Sequence, residues 1–201
     1  MAKKILILSE PFAPPSFLPR ITNLCKNLDR NKWTPEIFTE KIKDVNYSTN
    51  LCPVFQMPYY NSNNKIYWAI KWVLHFLFQY KDFKLQKFIE NTTNVNDYDL
   101  IFCSISNLFP ITTAARLSKK YNKPLIIDLR DIDEQWGKHK YLTHSISKSS
   151  TINNFIYKQI ERLNIKRRNK ALLQANSVTT ISPWHRDFIK NINNNTHLIY
   201  N

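Results

Sequence analysis

A chain of 201 residues with 43% hydrophobic and 13% aromatic residues holds enough apolar material for one sizeable core, which excludes a disordered polymer. Gly137 is the only glycine, so glycine-lined phosphate cradles are excluded, the dinucleotide fingerprint and the P-loop among them. The formal charge of +14 calls for an anionic partner, and nucleic acid, a phospholipid surface and a phosphorylated substrate all qualify.

Residues 4–9 form a continuous apolar run without polar alternation, the pattern of a strand buried on both faces. The run is too short for a signal-peptide core and is closed by Glu10 and Pro11. Ser16 is a candidate helix cap, since Leu18, Ile21, Leu24, Cys25 and Leu28 recur at helical spacing after it. Short strands are predicted at 35–39 and 54–57, then a helix over 64–90 with a break near Lys81-Asp82. Residues 100–104 read as a strand after the Asp97-Tyr98-Asp99 turn, 110–121 as a helix, and 124–129 as another buried strand. A polar loop is predicted over 133–150, holding His139 and His144 with no metal-ligand partners. A long charged helix spans 152–175, a strand 177–181, and a short helix opens at Ser182-Pro183. A last strand ends at Asn201. Strands and helices alternate throughout, which predicts an α/β fold with a doubly wound, mostly parallel sheet in one domain over 1–201. Ligands of such sheets lie at the carboxyl ends of the strands, here after Ser9, Ser104, Leu129 and Ile181. The three cysteines, Cys25, Cys52 and Cys103, show neither metal spacing nor a disulfide pattern, which fits a reducing cytoplasm.

Four of these strand ends carry recognisable segments. They are Lys4-Ile-Leu-Ile-Leu-Ser-Glu-Pro-Phe-Ala-Pro-Pro with Arg20 beyond it, and Tyr98-Asp-Leu-Ile-Phe-Cys-Ser. The others are Lys123-Pro-Leu-Ile-Ile-Asp-Leu-Arg-Asp and Ala175-Asn-Ser-Val-Thr-Thr-Ile-Ser-Pro, the last preceded by a charged helix with Glu161. In order and spacing the set resembles the N-terminal, acceptor-side domain of glycosyltransferase family 4, the retaining GT-B enzymes. The resemblance implies a Rossmann-like half of a two-domain enzyme. That enzyme transfers a sugar from a nucleotide-sugar donor to a glycan or lipid-linked acceptor, as in cell-envelope polysaccharide biosynthesis. It implies no metal and no further cofactor. The family's Glu-x7-Glu donor element has no counterpart here, because no two glutamates stand eight positions apart. The expectation is that the donor-binding C-terminal domain lies outside this chain, which is inactive alone.

The resemblance also distributes roles. Asp131, directly after the 124–129 strand, is the candidate catalytic residue, suited to orienting the acceptor hydroxyl or steadying positive charge at the anomeric carbon. Capping the next segment and pairing with Arg130 are open alternatives. Pro15 and Ser16 stand where many members carry Gly-Gly, leaving backbone N–H groups at the helix start to meet a phosphate. Arg20 and Arg130 are candidate phosphate or acceptor contacts, with a solvated helix arginine as the plain alternative for Arg20. Ser104 and Ser106 line a strand end, open to backbone or acceptor. Ser182 is a candidate contact that also fits a helix cap.

Residues 66–78 are almost all apolar, including Trp68 and Trp72, with Lys71 among them. Such a helix either packs on the sheet or sinks one face into lipid. Lys158, Arg162, Lys166, Arg167, Arg168 and Lys170 make the long helix basic. Trp68, Trp72, Lys71, Arg167 and Arg168 are therefore docking candidates for an anionic membrane, at the inner face of which a cytoplasmic enzyme works on lipid-linked acceptors. The rival is a basic, non-catalytic module binding nucleic acid or a sugar or scaffold partner, but no nucleic-acid recognition motif is present.

Overall fold

The computed structural model describes residues 2–10, 19–41, 50–58, 65–106, 108–132 and 151–200. Seven strands are present: β1 (Lys3–Ser9), β2 (Trp33–Glu40), β3 (Val54–Met57), β4 (Leu100–Ile105), β5 (Leu125–Leu129), β6 (Ser177–Thr180) and β7 (Thr196–Leu198). They form one sheet in the order β3-β2-β1-β4-β5-β6-β7, with every neighbouring pair parallel. The helices are α1 (Pro19–Asn27), α2 (Lys65–Phe78), α3 (Tyr80–Thr92), α4 (Ile111–Tyr121), α5 (Thr151–Gln174) and α6 (Pro183–Lys190). The predicted doubly wound α/β fold is the observed one.

Central strands read as unbroken apolar runs because helices cover both faces. On one face Leu6, Leu8, Ile101, Cys103, Ile127 and Leu129 pack with Leu85 and Ile89 of α3, Leu117 of α4, Leu172 of α5 and Ile189 of α6. On the other face Ile5, Ile7 and Ile37 pack with Ile21 and Cys25 of α1. Each fully buried Leu or Ile contributes on the order of 1.5–3 kcal/mol, so this two-sided core carries the stability of the domain.

Two boundaries differ from expectation. The last strand stops at Leu198 rather than Asn201, with Ile199 N–H still donating to Thr180 O at 2.8 Å. The long helical stretch breaks at Gln79, which takes a left-handed conformation (φ 55°), and not at Lys81-Asp82. Asp82 is instead a buried anchor inside α3, accepting from Thr112 Oγ1 and, at 3.1 Å, from Thr113 Oγ1. Burial pushes its carboxyl pKa up, while these hydrogen bonds pull it back.

His75 on α2 gives a pH prediction. Burial, then the nearby Lys81 and Arg167 cations, depress its pKa from 6.5 to about 4. Between those values the unfolded chain binds a proton that the native protein refuses. Its contribution is therefore present above pH 6.5 and lost as pH falls through about 4, by at most about 3 kcal/mol. Asp82 and Glu40, pushed upward by burial, act in the opposite sense. The difference between wild type and His75→Leu isolates the effect. Urea unfolding across this window should show a shallower acid loss in the variant, and parallel curves would remove His75 from the account.

Candidate active-site rim

The strand order reverses direction between β1 and β4, the position where open parallel sheets form a crevice beyond the carboxyl ends of their strands. Register across the sheet pairs Ser9 with Ser104, Ser104 with Asp128, and Asp128 with Thr179. Four polar residues thus form one row across the sheet, with Ser9 at the end of β1 and the other three one step inside their strand ends. Their side chains share a face because registered residues of parallel strands point the same way.

Asp128 is the hub of that row, its side chain only 1% exposed. It accepts from Ser104 Oγ at 2.9 Å and from Thr179 Oγ1 at 2.7 Å. Arg20 reaches it from α1, with Nη2 to Oδ1 at 2.9 Å and Nε to Oδ2 at 2.9 Å. Arg20 Nη1 also donates to Ile199 O at 3.1 Å, linking α1 to the far edge of the sheet. A buried carboxylate held by a forked guanidinium and two hydroxyls makes the cluster a rigid support.

One step outward, Glu10 gathers the ends of three strands. It accepts from Ser106 N–H at 2.9 Å, from Ser106 Oγ at 2.6 Å and from Arg130 Nη2 at 3.3 Å. Arg130 therefore pairs with Glu10 and not with Asp128. Sequence reasoning passed over Glu10, taking it only as the end of an apolar run. The usable signal was a lone carboxylate directly after a strand buried on both faces.

Asp131 follows Arg130, half-buried, beyond the end of β5. It lies near His185 of α6, whose pKa is lowered by burial against the opposing pull of Asp131. Ser182 caps α6, accepting from His185 N–H at 3.1 Å. Ser106, Arg130, Asp131 and Ser182 thus all follow carboxyl ends of parallel strands, with Ser104 one residue inside the end of β4. Pro15 and Ser16 lie outside the described residues. A cleft of about 470 Å³ opens beside the rim on the α1 side, lined by Arg20, Leu24, Phe102, Asp128, Arg130 and Tyr200 among others. Among the described residues no group of three or more His, Cys, Asp or Glu could hold a metal ion.

The docking candidates separate. Arg167 donates to Phe76 O and to Leu77 O, closing the last turn of α2 where the helix dipole favours a cation. Arg168 is 2% exposed and donates to Asn169 Oδ1, so burial removes it from any membrane-facing set. Lys71 Nζ lies 4.8 Å from the Tyr67 ring centroid. The backbone of Trp68 and Trp72 belongs to α2, but their side chains lie outside the described part. No helix among the described residues is long and apolar enough to cross a membrane.

The chain matches no known protein-family profile and no curated protein. Solved structures do match its fold. Anabaena HepE in complex with UDP and glucose aligns over 99% of this chain and 44% of its own, with a TM-score of 0.52 and 17% identity. Medicago truncatula UGT71G1 with UDP-glucose aligns over 98% and 51%, with a TM-score of 0.58 and 8% identity. The lipopolysaccharide outer core galactosyltransferase WaaB, in its apo form, aligns over 98% and 45%, with a TM-score of 0.50 and 13% identity. The fold is that of one domain of a GT-B glycosyltransferase. The chain spans about half the length of each of these proteins. Identities this low establish the likeness of this GT-B half at the level of fold.

Proposed function

We infer that this chain is the acceptor-side, Rossmann-like half of a two-domain enzyme that transfers a sugar from a nucleotide-sugar donor. The observation that carries the reading is the polar rim at the β1/β4 crossover, with Glu10, Ser106, Arg130, Asp131 and Ser182 following parallel strand ends. Sugar transfer builds negative charge on the departing diphosphate and positive charge at the anomeric carbon. Fixed charges of both signs at one rim suit that separation better than a uniformly basic surface does. Arg130, anchored by Glu10, is the cation for a phosphate or acceptor group, and Asp131 is the carboxylate for the acceptor hydroxyl or the anomeric carbon. The donor is bound mainly by a second domain. The finer terms rest on the four family-4-like motifs: a retaining, metal-independent reaction on a glycan or lipid-linked acceptor. Three free cysteines among the described residues support a cytoplasmic setting.

Nucleotide release from a panel of nucleotide sugars tests the reading, using this chain alone and joined to its donor-binding domain. Turnover is expected only for the joined protein with an acceptor present. A joined, folded protein that turns over no nucleotide sugar in the panel would contradict the proposal.

A further inference from the structure

Sharing no residue with the strand-end rim, α4, α5 and the α2–α3 junction line a pocket of about 260 Å³. Arg116, Lys119, Arg167 and Lys170 line it, together with Gln79 and Gln174, and no acid is among its lining residues. Four cations around one small cavity repel one another, and the acid that acts on Arg116 and Arg167 is the buried Asp82. Arg116 shows the imbalance most clearly. Its Nη2 donates to Gln79 Oε1, but its Nη1 is buried with no hydrogen-bond partner. Buried donors are almost always paired, so this one marks a place where the protein's own atoms leave an acceptor unsupplied.

Several large apolar side chains adjoin the residues of the pocket and are exposed. The Arg116 guanidinium lies 3.8 Å from the Phe83 ring centroid, and Phe83 is 54% exposed. Leu77, whose carbonyl accepts from the pocket-lining Arg167, is exposed, and so is its neighbour Phe78 at 62%. Leu173, beside the pocket-lining Gln174, is 68% exposed. Cations inside and large apolar side chains around them match a phospholipid surface, where phosphates lie a few ångströms above the acyl chains. A nucleic-acid backbone offers the same phosphates but no apolar layer for these side chains.

We propose that this pocket and its apolar surround dock on an anionic bilayer, with Arg116, Lys119, Arg167 and Lys170 receiving a phospholipid phosphate. The proposal stands independently of the sugar-transfer reading, because it uses none of the rim residues.

Flotation of the intact chain with vesicles of phosphatidylglycerol and phosphatidylcholine, or phosphatidylcholine alone, provides the test. Wild type should bind only the anionic vesicles. Lys119→Glu/Lys170→Glu should weaken that binding at least about tenfold, since each cation near an anionic surface counts and reversal repels. Lys26→Glu/Lys32→Glu, with the same net charge but on the α1 side, should bind as wild type does. Phe78→Ser should weaken vesicle binding and leave affinity for inorganic phosphate unchanged. Thermal melts monitor folding, and the milder Lys119→Gln/Lys170→Gln pair replaces the reversal if that does not fold. No wild-type binding, an equal loss in both charge-reversed proteins, or no loss in the pocket variants would each overturn the proposal. So would stronger binding to duplex nucleic acid than to anionic vesicles.

Discussion

Asp128→Ala is expected to destabilise the domain by about 3–5 kcal/mol, a large share of the roughly 5–15 kcal/mol that holds a domain of this size. The substitution removes the acceptor of Ser104 Oγ and Thr179 Oγ1 and the counter-ion of Arg20 at once. The two hydroxyls can turn to other acceptors at modest cost. Arg20, with its side chain 15% exposed, loses its forked carboxylate partner inside the fold, while its bond to the Ile199 carbonyl supplies no negative charge. Breaking a buried pair from one side costs more than the pair contributed, since an uncompensated charge remains. Asp128→Asn keeps acceptor capacity and should fall between wild type and Asp128→Ala. Urea unfolding measures both. A lower midpoint with unchanged slope is the expected signature, and a loss under about 1 kcal/mol would show that Asp128 is not the hub described.

Asp131→Ala is expected to reduce transfer by the joined, two-domain enzyme by about 10²–10⁴-fold while leaving its melting curve in place. Asp131 differs from Asp128 in having room to act. It is half-buried beyond the end of β5, whereas Asp128 lies inside the row, held by Ser104, Thr179 and Arg20. Asp131→Asn separates two roles. An amide still accepts a hydrogen bond from an acceptor hydroxyl, but it offers no negative charge to the anomeric carbon. Partial activity in the amide variant favours hydroxyl orientation, and equal loss in both favours charge stabilisation. Wild-type turnover in Asp131→Ala would take the residue out of the mechanism.

Much of the scaffold was legible in the sequence because it follows from local pattern. The unbroken apolar runs at 4–9, 100–104 and 124–129 are strands, and their alternation with helical periods leads to a parallel sheet. Contacts between residues distant in the chain were not legible. Arg20 lies 108 positions from Asp128 in sequence, so it read as a candidate phosphate or acceptor contact or a solvated helix arginine, and not as the partner of Asp128. Arg168 read as a membrane-docking candidate on the basic helix for the same reason and is buried. Asp82, near which the break was expected, lies inside α3. Its true partners, Thr112 and Thr113, lie on a different helix. Register is likewise absent from a sequence. Nothing local reveals that Ser9, Ser104, Asp128 and Thr179 share one row, nor that Glu10 closes over Ser106 and Arg130.

Amide hydrogen exchange on the joined enzyme, with and without a nucleotide sugar and acceptor, tests most directly whether the rim is where substrates meet this domain. Protection on binding should concentrate at Ser106, Arg130, Asp131 and the start of α6, the segments beyond the carboxyl strand ends. Protection instead at the opposite edge, around Lys3, Leu100, Leu125 and Ser177, would contradict the account.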